Sequence, residues 1–199
     1  MNTISLQSTS LRRLLGSITV ATAATLLLST CTPQDQTVPD RAFATMDLLI
    51  DLQDLPSGWQ SFSPRKPVDH LSTSDSAFIG FRADTDAVRQ SASHRVYRYD
   101  SSTQAKLVFE ELVVRGYGEV PLEWEYESPV ADQYDFSCYD YEGREPPNCQ
   151  WSGRYEEYLV VVNSWLIVDR MSLQDMERVI RAIDARMEQY IKSPEGVEE

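Results

Sequence analysis

Two hydrophobic rhythms alternate along the chain from residue 43 onward. In "FATMDLLIDLQDLPSGW" the apolar positions Phe43, Met46, Leu49 and Ile50 keep a helical spacing, and Pro56, Ser57 and Gly58 predict a stop and turn before Trp59. Residues 60–75, rich in Ser, Pro and Asp, read as loop. "SAFIGFRA" then alternates, placing Ala77, Ile79, Phe81 and Ala83 on one face of a strand. "SHRVYRYD" reads as a second strand, reached through a wide connection in "DTDAVRQSA".

A helix follows with start and stop signals. Ser101 and Gln104 have the spacing of a capping box, Ala105, Val108, Phe109, Leu112 and Val113 line one face, and Gly116 ends it. Period-two patterning returns in "LEWEYES", "QYDFSCYDY" and "CQWSGRYEEYLVVVNSWLIV". In the last of these, Leu159–Val162 is apolar on both faces, as in a central strand covered on both sides. The final helix has Ser172 as cap, Asp175 at the capping-box position and Met171 with Met176 as a hydrophobic staple. Its buried stripe is Leu173, Met176, Val179, Ile180, Ile183 and Met187, with Glu177–Arg181 as an exposed pair. Strands joined by short connections and covered by helices predict an α+β domain with a mostly antiparallel sheet of about five strands.

Ahead of the domain the pattern changes. Arg12 and Arg13 are the only charges before Asp35, and they open the uncharged run "LLGSITVATAATLLL". A basic start followed by a short apolar run is the layout of a secretory signal. It falls short of the roughly 20 apolar residues that span a bilayer comfortably. The segment ends in "LLLSTC", which resembles the lipobox of bacterial lipoproteins through Leu28, Ser29 and Cys31, with Thr30 where that family has Gly, Ala or Ser. The resemblance implies cleavage before Cys31 and acylation of that cysteine, with several chains making the attachment effectively permanent. Cleavage after Ala23 and an uncleaved signal anchor are the competing readings. The expected organisation is a signal over 1–30, a Pro-interrupted tether over 31–41, one domain over 42–191 and a tail over 192–199. The expected location is the extracytoplasmic side of a cell or outer membrane, with the membrane as partner through lipidated Cys31.

Charge and cysteines narrow the classes further. Loss of residues 1–30 removes two arginines and no acid, leaving 16 basic and 31 acidic side chains and a formal charge of −15. That balance disfavours nucleic acid and adhesion to anionic lipid by charge, and favours cationic partners. Once Cys31 is acylated, Cys138 and Cys149 remain as an even pair with no metal-type spacing. In an exported protein they are expected to form a disulfide.

Little in the chain reads as catalytic. The nucleophile elbow, the phosphate loops and H-E-x-x-H are absent, no cofactor motif or metal set is present, and His70 and His94 stand 24 residues apart. The best enzymatic pattern is the strand-like "LEWEYES". Glu123, Glu125 and Glu127 share one face there, about 6.8 Å apart, within the range for an inverting glycosidase pair. A solvated acidic face over packed Trp124 and Tyr126 explains the same pattern. Arg82, Arg89, Arg95 and Arg98 form a candidate anion patch, or else pair with those glutamates across the sheet. Tyr139, Tyr141, Arg144 and Trp151 form a candidate interface at the disulfide hairpin, because Tyr, Trp and Arg dominate binding surfaces, with core packing as the alternative for the rings.

At "LLIDLQDLPSGW" and at the closing strand and helix, "YLVVVNSW" to "IDARM", the chain resembles small bacterial lipoprotein domains related to extracellular sensor domains of serine/threonine kinases. The resemblance implies an α+β fold and binding of a small ligand or a protein, and it carries over no catalytic residue. The expected function is thus a membrane-anchored binding or interaction module. A hydrolase acting through Glu123, Glu125 and Glu127 and a structural envelope protein are the alternatives.

Overall fold

The computed structural model describes residues 40–67, 73–84, 89–115, 118–119, 121, 123–139, 147–166 and 171–192. The signal, Cys31, the tether up to residue 39, His70, Gly116, Tyr141, Arg144 and residues 193–199 lie outside the described residues. Six antiparallel strands form one sheet: β1 (Gln60–Pro67), β2 (Asp75–Asp84), β3 (Arg89–Arg98), β4 (Gln133–Tyr139), β5 (Asn148–Tyr155) and β6 (Tyr158–Trp165). Their order across the sheet is β1-β2-β3-β6-β5-β4. Two helices, α1 (Ser102–Val114) and α2 (Leu173–Met187), complete an α+β fold, and the described residues belong to one compact unit.

The two faces of the sheet are covered unequally. One row of opposed residues crosses it as Ile79, His94, Val162, Trp151 and Phe136, and marks the inner face. Met176, Val179, Ile180, Ile183 and Met187 of α2 and Leu48, Leu49, Ile50 and Leu55 of the N-terminal segment form the main core with it. On the outer face, Ala105 and Phe109 of α1 pack on Leu159 and Val161 of β6. The apolar run in β6 is therefore covered on both sides, as its sequence predicts.

α2 starts as expected. Ser172 Oγ accepts the Asp175 N–H at 3.1 Å, Asp175 Oδ2 accepts the Ser172 N–H at 3.0 Å, and Met171 and Met176 are both buried. At α1 the box closes one residue early: Ser101 Oγ takes the Gln104 N–H, but Gln104 Oε1 reaches the N–H of Asp100.

Four expectations change. Residues 43–59 form two short 3-10 turns, Thr45–Leu48 and Leu52–Asp54, instead of a helix. Leu48, Leu49 and Ile50 are all buried, and three consecutive residues cannot share one side of an α-helix. Arg65 also takes the Met46 and Leu49 carbonyls that a helix would use internally. The sixth strand is β1, expected as loop; Pro64 and Pro67 mask its pattern, and the edge position with its bulges tolerates them. β2 and β3 pair without interruption up to Asp84–Arg89, so only residues 85–88 connect them, not the wide loop expected.

The fourth change is "LEWEYES", which keeps its alternation but joins no ladder. Trp124 stacks on Phe136 with centroids 3.9 Å apart and Tyr126 is buried, while Glu123, Glu125 and Glu127 face solvent. Side chains hold this segment, whereas the bridge to β4 is made earlier, by Glu119 with Cys138. Gly118 permits it: its φ is +134° and a Cβ there would sit 1.9 Å from the Cys138 carbonyl oxygen.

Candidate functional site

The expected disulfide is present. Cys138 and Cys149 are directly opposed in the β4–β5 register, with Cα atoms 4.0 Å apart, at the base of the hairpin. The aromatic interface expected around it divides. Tyr139 is 45 % exposed, but Trp151 is fully buried in the inner-face core, tilted against Tyr155, so it supplies packing and no contact surface. Tyr141 and Arg144 are outside the described residues.

The arginines also divide, by strand register. Arg82 and Arg95 fall in the outer-face series of β2 and β3, and Arg89 holds the register position opposite Asp84, its side chain being outside the described ones. Arg98 faces the other way. Its guanidinium carbon lies 5.6 Å from the Tyr158 ring centroid, and it pairs with Glu157 at 3.5 Å. Glu157 is buried at the β5–β6 turn and also receives Nε and Nη2 of Arg41 at 3.0 and 3.1 Å, while Arg41 bonds Glu156 at 2.5 Å. Burial works against the Arg41 charge, but the two glutamates outweigh it and raise its pKa. The cluster holds Glu156 in a left-handed conformation (φ 51°) and ties the start of the domain to the turn. Arg98 is therefore a structural ion and leaves the anion patch.

Residues that the sequence reading passed over rebuild the patch. Because β1 exists, Lys66 stands opposite Phe78, and Arg95 stands opposite Phe78 from the other side. The Lys66 ammonium and the Arg95 guanidinium lie 5.5 and 5.2 Å from the centre of the Phe78 ring. One row along, Phe62 lies over Gly80 and is half exposed; a Cβ on Gly80 would come within 2.6 Å of the phenyl ring. Gly80 is the space in which that ring sits. Arg82 is exposed beyond it. Phe62, Lys66, Phe78, Arg82 and Arg95 thus make a cationic and aromatic area on the part of the outer face away from α1. Among the described residues, no carboxylate is paired with Lys66 or Arg95. The signal that could have revealed it is "QSFSPRK", which is separated from the alternating strand only by residues 67–74.

The acidic segment sits elsewhere. Glu125 and Glu127, with Tyr134 and Asp135, line a shallow open groove of about 310 Å³ beside β4. Beneath it lies a feature the sequence did not disclose. Asp184 of α2 is buried and accepts hydroxyl hydrogen bonds from Tyr126 (2.5 Å), Tyr155 (2.5 Å) and Ser128 (2.8 Å). Burial and the Asp184 carboxylate push both tyrosines above the usual phenol range, so they remain protonated donors. The Arg181 guanidinium covers the Tyr126 ring at 4.3 Å. This arrangement fastens the acidic segment to α2 and β5.

His94 is wholly buried in the central row. Its Nδ1 accepts the Ile50 N–H at 3.1 Å, which fixes the neutral tautomer with the proton on Nε2. Arg65 and Arg186 converge on the same loop, at the Leu49 carbonyl and Asp51. Among the described residues, no group of three or more His, Cys, Asp or Glu is placed to hold a metal ion, and no helix is long and apolar enough to cross a membrane. No protein-family model, curated protein or solved structure matches the chain.

Proposed function

We propose that this protein is an extracytoplasmic lipoprotein, anchored through acylated Cys31, whose domain is a binding module that captures a partner on the part of the outer sheet face away from α1. The location is supported by the signal layout ending at Cys31 and by the cross-strand Cys138–Cys149 disulfide, a bond that persists in oxidising compartments. A tether of residues 31–41 reaches about 36 Å when extended, enough to hold the domain clear of the lipid headgroups.

The observation that carries the binding role is the Phe62–Lys66–Phe78–Arg95 area. It is charged opposite to the chain as a whole, it stands on hydrogen-bonded strands, and it exposes a phenyl ring that the fold leaves outside its core. Aromatic side chains lose little conformational freedom on association, and aromatic and Arg side chains supply much of the binding free energy at interfaces.

Photo-crosslinking in native membranes tests the reading. A benzophenone amino acid at Phe62 should give a discrete crosslinked product, whereas the same probe at Leu107, exposed on α1, should give none. Equal, diffuse labelling at both positions would contradict a binding face on β1–β3.

A further inference from the structure

We infer that the partner taken by this face is an anionic saccharide, a chain of sugar rings that carry carboxylates. The inference rests on the binding role proposed above and adds the chemistry of the occupant.

Three features meet on this part of the outer face. The first is a platform. Cζ, Cε1 and Cε2 of Phe62 come within 2.6, 2.8 and 3.2 Å of the place a Gly80 Cβ would take, so the ring lies down on the β2 backbone, and it is half exposed. The face of a phenyl ring is its negative side and attracts polarised C–H groups, which line the faces of a sugar ring.

The second feature is a ledge of small neutral groups. Gly80 stands opposite Ser93, and Ser93 opposite Asn163. The row that begins under the phenyl ring thus continues with a hydroxyl and an amide, at strand intervals of about 4.8 Å. Both side chains are half-buried, and among the described residues neither bonds to another group of the fold. Each offers a donor and an acceptor, the pairing that sugar hydroxyls need.

The third feature is charge. Arg95 follows Ser93 on the same face of β3, one row or about 6.7 Å away. It shares that row with Lys66, on the other side of the Phe78 ring. The ring restrains the Arg95 guanidinium, whose N–H edge can still take a carboxylate in a forked pair. A sugar seated on Phe62 and Ser93 therefore has two cations one row away for its carboxylate. Arg82 is already engaged within the fold and is not part of the site.

A saccharide fits better than a peptide strand or a bilayer. A peptide gains most by adding main-chain hydrogen bonds at a sheet edge, but β1, the edge here, contains Pro64 and Pro67 and two register shifts. An anionic bilayer would bring many headgroups close to a chain whose formal charge is −13 before signal removal. A narrow oligomer responds to the local cations, since the Debye length at physiological salt is about 8 Å.

The test uses the full chain purified from membranes in neutral detergent, with fluorescently labelled short oligomers of galacturonate and of mannuronate as probes and anisotropy as readout. Comparison probes are the methyl-esterified galacturonate oligomer, which is neutral, and an oligoglutamate of the same charge. At least one uronate should bind, and more tightly than either comparison probe. Lys66→Glu with Arg95→Glu should weaken it about tenfold or more, since two attractions become repulsions. Asn163→Ala should weaken it severalfold. Phe62→Trp should keep the affinity and Phe62→Leu should lose severalfold, because Leu preserves an apolar contact but not a stacking face. Unchanged circular dichroism and an intact Cys138–Cys149 bond establish that the variants fold. Failure of both uronates to bind, indifference to the double reversal in folded protein, or equal affinity of Phe62→Leu and Phe62→Trp overturns the inference. Equal or tighter binding of oligoglutamate overturns it in favour of an acidic peptide, and displacement of the uronate by phosphatidylglycerol vesicles overturns it in favour of a lipid-facing patch. A discrete crosslink at Phe62 without uronate binding would leave the binding role standing and remove only this chemistry.

Discussion

Acidification should reach this fold through His94, and the size of the effect follows from its surroundings. The imidazole is fully buried, its Nδ1 already accepts the Ile50 N–H, and Arg186 and Arg65 stand close by. Burial first, and then the two guanidiniums, lower its pKa from the ordinary 6.5 to about 3. The unfolded chain takes up a proton below pH 6.5 that the folded chain refuses. The His94 contribution is therefore complete above pH 6.5, falls by about 1.4 kcal/mol per pH unit below it, and is exhausted near pH 3. At pH 4.5 the loss is about 2–3 kcal/mol, a sizeable share of the roughly 5–15 kcal/mol that stabilises a domain. His94→Asn places an acceptor where Nδ1 stands and cannot titrate. Urea unfolding of both proteins, followed by Trp fluorescence at pH 7 and pH 4.5, isolates the residue because the carboxylates titrate in both. The variant is expected to be the less stable at pH 7, with the gap narrowing by about 2–3 kcal/mol at pH 4.5. Parallel stability profiles would refute a buried neutral His94.

Asp184→Ala should destabilise the domain by about 3–5 kcal/mol, because it strands the buried hydroxyls of Tyr126 and Tyr155 along with that of Ser128; chemical denaturation measures it. Arg41→Ala should cost about 3 kcal/mol by removing the close partner of the buried Glu157 carboxylate, and a melting temperature unchanged from the parent would exclude that role. Reducing Cys138–Cys149, which are 11 residues apart, should cost about 3 kcal/mol in the chain-entropy description, read as a shift in the urea midpoint between reduced and oxidised protein. Gly118→Ala should break the Glu119–Cys138 bridge, which amide hydrogen exchange at Cys138 would report as lost protection.

Strand and helix periodicity was legible wherever local pattern and tertiary burial agreed. α2 shows its expected cap and buried stripe, with Leu173 only partly covered, and Leu159–Val162 is covered on both faces because the fold places it at the centre of the sheet. Pattern misled where backbone partners decide. "LEWEYES" alternates like a strand, yet ring stacking and the Asp184 hydroxyl contacts hold it, and hydropathy does not register either. β1 was hidden by two prolines that an edge strand accommodates. That omission removed Phe62 and Lys66 from the candidate site; Arg98 was grouped with Arg95 although three residues along one strand place the two on opposite faces. Asp184 was unreadable because a buried carboxylate looks like a surface one until its hydroxyl partners, 29 to 58 residues distant, are brought to it.

Where the chain is held is read directly by the intact mass of the protein extracted from the membrane fraction. The expected mass is that of a chain beginning at Cys31, increased by its acyl groups and two hydrogens lighter for the Cys138–Cys149 bond. A soluble chain beginning at Ala24, or a membrane-bound chain still carrying Met1, would contradict it.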